Sequence, residues 1–526
     1  MAYGAGRNGR DHRWRRATEK RRQAPCPVLT IEIRQHSGEV ESISVAPGRS
    51  FLNALFEAGV GRGRLVCGGS GLCGKCRIRF LTSAPPPCPE DFLRLGADEV
   101  AAGWRLSCRH EATVSCRIED PGPPPAMPKF GRADGVAIDV GTTRIKWALR
   151  RGDEHGREYA VFNPQMAVGS EIMSRLRYAL SSPAGRSHLR ESVLRVLRDV
   201  AGASGATAMA LSANSAMVSL LLDVPLTGLA YAPYSLPWRG GEVVDLGPGL
   251  PPAYIPPLLG PFIGADVSAG LACITAQRPR YPYILSDLGT NGEFVLAVDE
   301  RRYFACSVPM GPAIEGVGLC CGAAAGEGVL SRAELTPAGL RWDTWNMTGI
   351  SGTGYMSLLA LLLRLGLVGT DGHFRAGSMP LARKVGTRLC AHPLGRIFEL
   401  DGDVFLAERD VEEFLKAKAG VNVGLRTLIG LAGLAEGDVA AVYLAGALGE
   451  HSQTEDLVAL GFLPEVWKDR VTMAGNTSLA GTMLALRDEG TRRWLAGLPP
   501  LVRVESLVER DDFGPAFMKA MRFAWT

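Results

Sequence analysis

The sequence predicts two unlike parts, a small α+β domain followed by a two-lobed α/β body, and three observations carry that division. A cysteine-containing glycine loop, Leu65-Val66-Cys67-Gly68-Gly69-Ser70-Gly71-Leu72-Cys73-Gly74-Lys75-Cys76, lies among short strand patterns. A proline-rich stretch, Pro121-Gly122-Pro123-Pro124-Pro125, follows and reads as a linker. Beyond it a strand–Asp–Gly-Thr–strand pattern occurs twice, its aspartates being Asp139 and Asp287.

A chain of 526 residues is long enough for about three domains, and 46% hydrophobic with 21% charged residues is a globular composition. The net charge of +4 is misleading. Residues 1–23 hold eight Lys/Arg against Asp11 and Glu19, a local +6 that leaves the rest at −2. Its charge would suit nucleic acid or anionic lipid, but it lacks aromatic interleaving and an apolar face, so the expectation is a solvated, disordered leader over 1–26 with no nucleic-acid or membrane partner. No apolar run follows the basic start, and the best one, 358–368, is short and interrupted by Arg364. With cysteines clustered or single (Cys26, Cys88, Cys273, Cys306, Cys390) rather than paired, the expectation is reduced thiols in the cytoplasm. The adjacent pair Cys320-Cys321 finds no role in the sequence.

In the first domain, 27–119, alternation predicts strands over 28–33 and 43–45. Ser50 then caps a helix over 51–58 that Gly59 ends. After the loop come a strand over 77–81, a proline-rich loop containing Cys88, and a last strand over 113–118 containing Cys116. This is a β-grasp order. Cys67, Cys73 and Cys76 are spaced C-x5-C-x2-C, and Cys108 in Trp104-Arg105-Leu106-Ser107-Cys108 is a fourth candidate ligand. Plant-type [2Fe–2S] ferredoxins use C-x4-C-x2-C plus a distant cysteine. Glycines permit the positive φ and close N–H approach that a loop around sulfur ligands needs. A zinc knuckle would require a second close pair, whereas Cys108 has only Cys116 near it. Cys88 and Cys116 are expected to be structural.

The linker, 120–133, is expected to tether this head undocked. The first lobe, 134–278, opens with Val136-Ala137-Ile138-Asp139-Val140-Gly141-Thr142-Thr143. The second, 279–526, opens with Tyr283-Ile284-Leu285-Ser286-Asp287-Leu288-Gly289-Thr290-Asn291-Gly292-Glu293, 148 residues later. Glycine turns with Thr hydroxyls cradle phosphate oxygens, and an Asp at each strand end suits Mg²⁺ or an attacking water. Plain hairpin capping by Asp139 and Asp287 is the alternative. His188, His373, His392 and His451 are scattered without a metal-ligand pattern. Lys416 and Lys418 are expected to be solvated.

The paired motifs resemble the phosphate-binding segments of the acetate/sugar kinase, heat-shock protein and actin superfamily, whose lobes are ribonuclease H-like. Joined to a ferredoxin head, they resemble the reductive activators of corrinoid-dependent enzymes over roughly 28–490. Gly103 to Cys108 matches that family's fourth-ligand segment. Asn163-Pro164-Gln165, Asn214-Ser215-Ala216-Met217, Gly264-Ala265-Asp266 and Gly311-Pro312-Ala313-Ile314-Glu315-Gly316 look like its internal motifs. Ser351-Gly352-Thr353-Gly354 and Gly446-Ala447-Leu448-Gly449 resemble its glycine turns, and Gly475-Asn476-Thr477-Ser478-Leu479-Ala480-Gly481 its last signature. Departures are Ser219 where relatives often have His, Ala447-Leu448 in the usual Gly-Gly-Phe-Gly turn, Ser351 for Cys, and no extra linker domain.

The resemblance implies an ATP-dependent enzyme that passes one electron from a [2Fe–2S] cluster to an inactive Co(II) corrinoid protein of a methyltransferase system. It implies cluster ligation by Cys67, Cys73, Cys76 and Cys108, and Mg²⁺ and water handling by Asp139 and Asp287. Phosphates would meet Gly141, Thr142, Thr143, Gly289, Thr290 and Asn291. Gly352, Gly354, Gly446 and Gly449 would admit adenosine. A low-potential electron donor is implied and a homodimer is allowed. The alternatives are ATP-driven electron delivery to another low-potential enzyme, a plain carrier with a non-hydrolysing ATPase-like body, and a small-metabolite kinase with a redox-sensing head.

Overall fold

The computed structural model describes residues 28–35, 38–60, 69, 71, 73–119, 127–152, 154–310, 316, 318–323, 325–337, 339–446 and 452–526. The expected leader, Cys67, Gly449 and His451 lie outside these residues, as do 120–126 of the linker and 311–315.

In the first domain β1 (Leu29–Arg34) and β2 (Val40–Val45) pair antiparallel. Helix α1 (Phe51–Ala58) follows: Ser50 Oγ accepts from the Asn53 N–H at 3.2 Å, and Gly59 ends it in the left-handed region at φ 88°. This is cap chemistry at both ends. Next come β3 (Arg77–Thr82), α2 (Pro89–Ala101), β4 (Trp104–Leu106) and β5 (Cys116–Glu119). The described sheet runs β2-β1-β5-β3-β4, with β1 and β5 parallel at its centre, a β-grasp sheet. Its core is Ile31, Ile33, Phe51, Leu55, Ile78, Phe80 and Ile118. Helix α2 and strand β4 occupy what the sequence presents as a loop.

The body is two copies of one sheet. In the first, β6 (Gly135–Val140), β7 (Arg144–Arg151) and β8 (Glu154–Phe162) form an antiparallel meander. After α3 (Ile172–Ser181) and α4 (Pro183–Ser204), β9 (Ala208–Ala213) joins β6 in parallel and leads into α5 (Ser215–Leu221). Strands β10 (Glu242–Val244) and β11 (Ala253–Ile255) extend that edge, and α6 (Ala265–Ala276) leaves it.

The second copy has the meander β12 (Tyr283–Leu288), β13 (Asn291–Asp299) and β14 (Arg302–Pro309). After α7 (Gly352–Arg364) and the long α8 (Glu408–Ala432), β15 (Ala441–Gly446) joins β12 in parallel. Strand β16 (Val471–Gly475) follows, then α9 (Thr477–Arg487), and β17 (Val502–Glu505) closes the far edge. The order β11-β9-β6-β7-β8 thus recurs as β16-β15-β12-β13-β14.

The lobes exchange helices. Leu479, Met483 and Leu486 of α9 share a core with Ala137 of β6 and Ala210 of β9. Helix α6 packs against Leu285 of β12 through Leu271 and Ile274. The crossing is tight: a Cβ on Gly481 would lie 1.7 Å from the Ala269 carbonyl oxygen.

Two expectations are corrected. The cluster-type head is docked, not free. Phe56 belongs to the first lobe's core and Met166 to the head's, Arg49 and Glu57 meet Tyr178, and Arg94 donates to the Cys320 carbonyl at 3.0 Å. Lys418 is fully buried, its ammonium donating to the Ala520 carbonyl at 3.1 Å and to that of Ala524, because the C-terminal segment folds over α8. Desolvation, then the nearby Arg522, pulls its pKa down to about 7.

Candidate functional site

Cys76 and Cys108 come together where β3 and β4 pair, Cys73 precedes Cys76 by three residues, and Cys67 lies outside the described residues. Gly71 and Gly74 have φ of 75° and 66°, so the loop reverses where a side chain would be strained. At Gly71 the space is also filled, since a Cβ there would meet Arg109 Cδ at 2.8 Å. The Ser107 N–H donates to the Cys76 carbonyl at 2.9 Å, joining the two cysteine segments. Cys76 and Cys108 share an apolar cluster with Leu95, Leu106 and Leu52. Soft thiol donors on a glycine loop backed by apolar side chains fit an iron–sulfur cluster.

A support for this loop was missed in the sequence. Asp91 on α2 is fully buried. Its carboxylate accepts from the Leu106 N–H at 2.8 Å and the Cys88 N–H at 2.9 Å, and His110 Nε2 stands 2.7 Å from it. Burial alone would raise its pKa, but those two N–H groups and the His110 ring hold it below the usual range. Cys88, Asp91 and His110 look like a metal-binding trio. The Asp91 oxygens already serve backbone donors that fix the segment entering Cys108, which is a structural employment. D-x-x-x-H spacings give no such signal, because Asp91 and His110 are 19 residues apart.

The duplicated aspartates face one cleft. Asp139 at the end of β6 accepts from Ser478 Oγ at 3.0 Å and Asn476 Nδ2 at 3.2 Å, groups at the start of α9 on the opposite segment. Ser478 also hydrogen-bonds Ser212 at 2.8 Å. Desolvation raises Asp139, while Lys146, Ser478 and Asn476 oppose it. Two further carboxyls join the pair. Asp266, at the start of α6, is pushed up to about 8 by burial, Asp287 and Asp139. Glu293, opposite Asp287 in the β12–β13 register, is raised well above its normal range by burial, Asp266 and Asp287. Like charges brought together out of water disfavour ionisation, and a divalent cation reverses that preference.

The glycine turns are shaped around this cleft. A Cβ on Gly141 would lie 2.7 Å from the Arg144 carbonyl oxygen. The Gly141–Thr143 turn is held from behind by the internal motifs. Asn163 Nδ2 donates to the Gly141 carbonyl at 2.8 Å, Asn214 Nδ2 to Thr142 Oγ1 at 3.3 Å, and buried Arg175 to the Thr142 carbonyl at 2.6 Å. In the second copy the Gly289 N–H donates to the Asn291 carbonyl at 3.0 Å, and Thr290 is buried. Gly446, at φ 78°, lies against Asp287, where a Cβ would sit 2.5 Å from its Oδ1. Thr143 Oγ1, Ser286 Oγ and Thr477 Oγ1 are buried without a hydrogen-bond partner among the described residues. Orphaned hydroxyls on the phosphate-type turns and beside the cleft fit an oxygen-rich ligand.

Gly352 and Gly354 open α7, where Ser351 Oγ accepts from the Gly354 N–H at 3.1 Å. Gly354 has a packing reason for lacking a side chain, since a Cβ would lie 2.1 Å from the Leu330 carbonyl oxygen. A cavity of about 270 Å³ adjoins this helix start, lined by Ser331, Arg332, Thr353, Met356, Gln453 and Asp456. A larger one of about 670 Å³ lies between the lobes at Asn291, with Ile172, Tyr234, Phe262, Val504 and Leu507 in its walls.

Three family models match in series: a 2Fe–2S iron–sulfur cluster binding domain over 35–113, the RACo middle region over 134–278, and the C-terminal ASKHA domain of RACo over 282–526. The chain is 25% identical over 74% of its length to 70% of the corrinoid activation enzyme RamQ of Eubacterium limosum. It is 26% identical over 66% of its length to 68% of a [Co(II) methylated amine-specific corrinoid protein] reductase of Methanosarcina barkeri. A solved reductive activator for corrinoid, iron–sulfur protein superposes with a TM-score of 0.66 at 20% identity, covering 94% of this chain and 98% of that one.

Proposed function

Because this chain belongs to the RACo family of corrinoid-protein reductive activators, we propose that it transfers one electron from a [2Fe–2S] cluster to an inactive Co(II) corrinoid protein, regenerating Co(I) with ATP hydrolysis. One observation carries the reading: a thiol loop and a four-carboxylate cleft share one chain, and the domain holding the loop is docked on both lobes.

In this reading the cluster supplies the one-electron step when bound. Cys73, Cys76 and Cys108 hold it together with Cys67, and Asp91 fixes the segment that presents Cys108. Mg²⁺ is the cation assigned to Asp139, Asp287, Asp266 and Glu293. The Gly141–Thr143 and Gly289–Asn291 turns bind the phosphates through N–H groups and hydroxyls. Adenine would be taken by the cavity beside Thr353 and Arg332, at the start of the helix that Gly352 and Gly354 open. Water is positioned by Asp139 or Asp287, the half-buried carboxylates at the strand ends.

Plant-type clusters have potentials near about −400 mV, and each ~59 mV uphill costs about 1.4 kcal/mol for one electron. Nucleotide-driven closure of the lobes supplies such energy if the closed state has different affinity for the two cobalt states. The proposed division is a leader over 1–26, a cluster domain over 27–119, a linker over 120–133, and lobes over 134–278 and 279–526. Reduced thiols suit a cytoplasmic site of action, and among the described residues no helix is long and apolar enough to cross a membrane.

The test is anaerobic. Reduced protein is mixed with a Co(II) corrinoid protein, and Co(I) absorbance is followed with and without MgATP. Co(I) forms only with MgATP, and Cys73→Ala and Asp287→Asn each abolish it. ATP hydrolysis without Co(I) across several corrinoid proteins would assign another acceptor. Phosphorylation of a small metabolite would return the kinase alternative.

A further inference from the structure

Arg94 is a side chain that neither the cluster ligands nor the nucleotide cleft accounts for. It sits on α2, and its own Cβ packs beside the cysteine loop: a Cβ on Gly74, between Cys73 and Cys76, would lie 3.5 Å from it. The guanidinium reaches the other way, out of the cluster domain, and Nη1 donates to the Cys320 carbonyl in the second lobe at 3.0 Å. Nε and Nη2 are buried with no hydrogen-bond partner among the described residues.

The segment it touches leads to the nucleotide helix. The Cys320 N–H donates to Asp410 Oδ1 at 3.1 Å and the Cys321 N–H to the Tyr355 hydroxyl at 3.2 Å. The Ile350 N–H donates to the Cys321 carbonyl at 2.8 Å, and the Ala323 N–H to the Ile350 carbonyl at 2.9 Å. Ile350 is followed by Ser351, the N-cap of α7. The cysteine loop and the start of α7 are therefore joined through Arg94 and the Cys320-Cys321 segment.

We propose that Arg94 is a positioning residue that links the two sites, so that the nucleotide bound at α7 sets the placement of the cluster loop. This rests on the activator reading for what the nucleotide and cluster do. The bonding suits a link that is made and released. One hydrogen bond to a neutral carbonyl is weaker than a bidentate pairing with a carboxylate, and two buried N–H positions left over favour any arrangement that satisfies them. The cysteines do not neutralise the guanidinium: burial, with Asp410 next, pushes the Cys320 thiol up to about 12, and burial pushes Cys321 up to about 11. A contact with two arrangements is the kind of element through which one site biases another.

The experiment uses full-length holoprotein and the variants Arg94→Met and Arg94→Lys. Hydrogen exchange is measured at the Gly71–Lys75 loop and at 320–323, with and without a non-hydrolysable MgATP analogue. Wild type is expected to change protection at both places. Arg94→Met keeps the change at 320–323 and loses it at the loop. Iron content and ATP turnover stay within twofold of wild type, and ATP-dependent Co(I) formation falls at least tenfold. Arg94→Lys, which retains one donor, is intermediate and carries the test if the methionine variant loses iron. A loop response that persists in both variants, or no nucleotide response at the loop in wild type, overturns the link. If wild type shows the loop response and the variant loses it, but no corrinoid is reduced, the link stands and the activator reading falls.

Discussion

Asp91 shows how a single buried carboxylate can govern a metal site it does not touch. Replacing it with alanine leaves the Leu106 and Cys88 N–H groups without their acceptor, a loss of about 3 kcal/mol at charge-assisted bonds. Asp91→Ala should lower iron per chain and melt the cluster domain at lower temperature, measured by iron assay and by the visible absorbance of the cluster on heating. Lys418 gives the second residue-scale prediction. Its pKa is lower folded than unfolded, so between about 7 and 10 the unfolded chain binds more protons and stability rises with pH. Below about 7 both states are protonated and the cost of the buried charge is fully present. The slope is at most about 1.4 kcal/mol per pH unit. Lys418→Met should flatten it, as read by amide exchange of α8 at pH 7 and pH 9.5. Neither residue was legible in the sequence. Besides the nearby Cys88 N–H, Asp91 meets Leu106 and His110, 15 and 19 residues away, and Lys418 meets carbonyls 102 and 106 residues away.

At the scale of elements, legibility follows locality. Helix α1 is readable to the residue because Ser50 and Gly59 act within one turn of its ends. The two Asp–Gly-Thr turns are readable because strand, turn and strand are contiguous. Helix α2 is hidden by Gly96 within it, where φ of 77° kinks the helix, so its periodicity breaks midway, although Pro89 in its first turn is a helix-start residue. Asp266 and Glu293 join the cleft only when α6 and β13 are assembled, although both stand in stretches the sequence marks. Gly481 belongs to the same class: it stands in the last signature stretch, yet its role in closing the crossing of α9 over α6 exists only once the two helices are assembled. Gly481→Ala should cost about 3 kcal/mol, since the atom it would strike is backbone that cannot move aside. The check is a lower melting temperature of the body with iron content unchanged.

At the scale of the whole molecule, the two sheets place Asp139 and Asp287 in a cleft whose crowded carboxyls disfavour ionisation, a cost that the proposed cation would relieve. MgATP at a hundredfold excess over its dissociation constant should stabilise the body by about 2.7 kcal/mol. Thermal shift should show the gain, and EDTA or Asp287→Asn should remove it. The docked head is the feature least visible beforehand. A proline-rich linker reads as a tether, but docking is decided by Phe56, Met166, Tyr178 and Arg94, residues scattered over three regions of the chain.

The helix exchange has a consequence for how the protein is made. Strands β6 and β9 end at residue 213, yet the helix that covers their alanine-lined face ends at Arg487. At ribosomal rates of roughly 5–20 residues per second, that interval lasts on the order of 15 to 55 s. During it the first lobe shows an uncovered apolar face, so a fragment ending at residue 278 should aggregate unless the remainder is supplied. The β-grasp domain has its own core and is finished first. A nascent chain therefore passes through a stage in which its redox centre can be assembled before any nucleotide gate exists to control it.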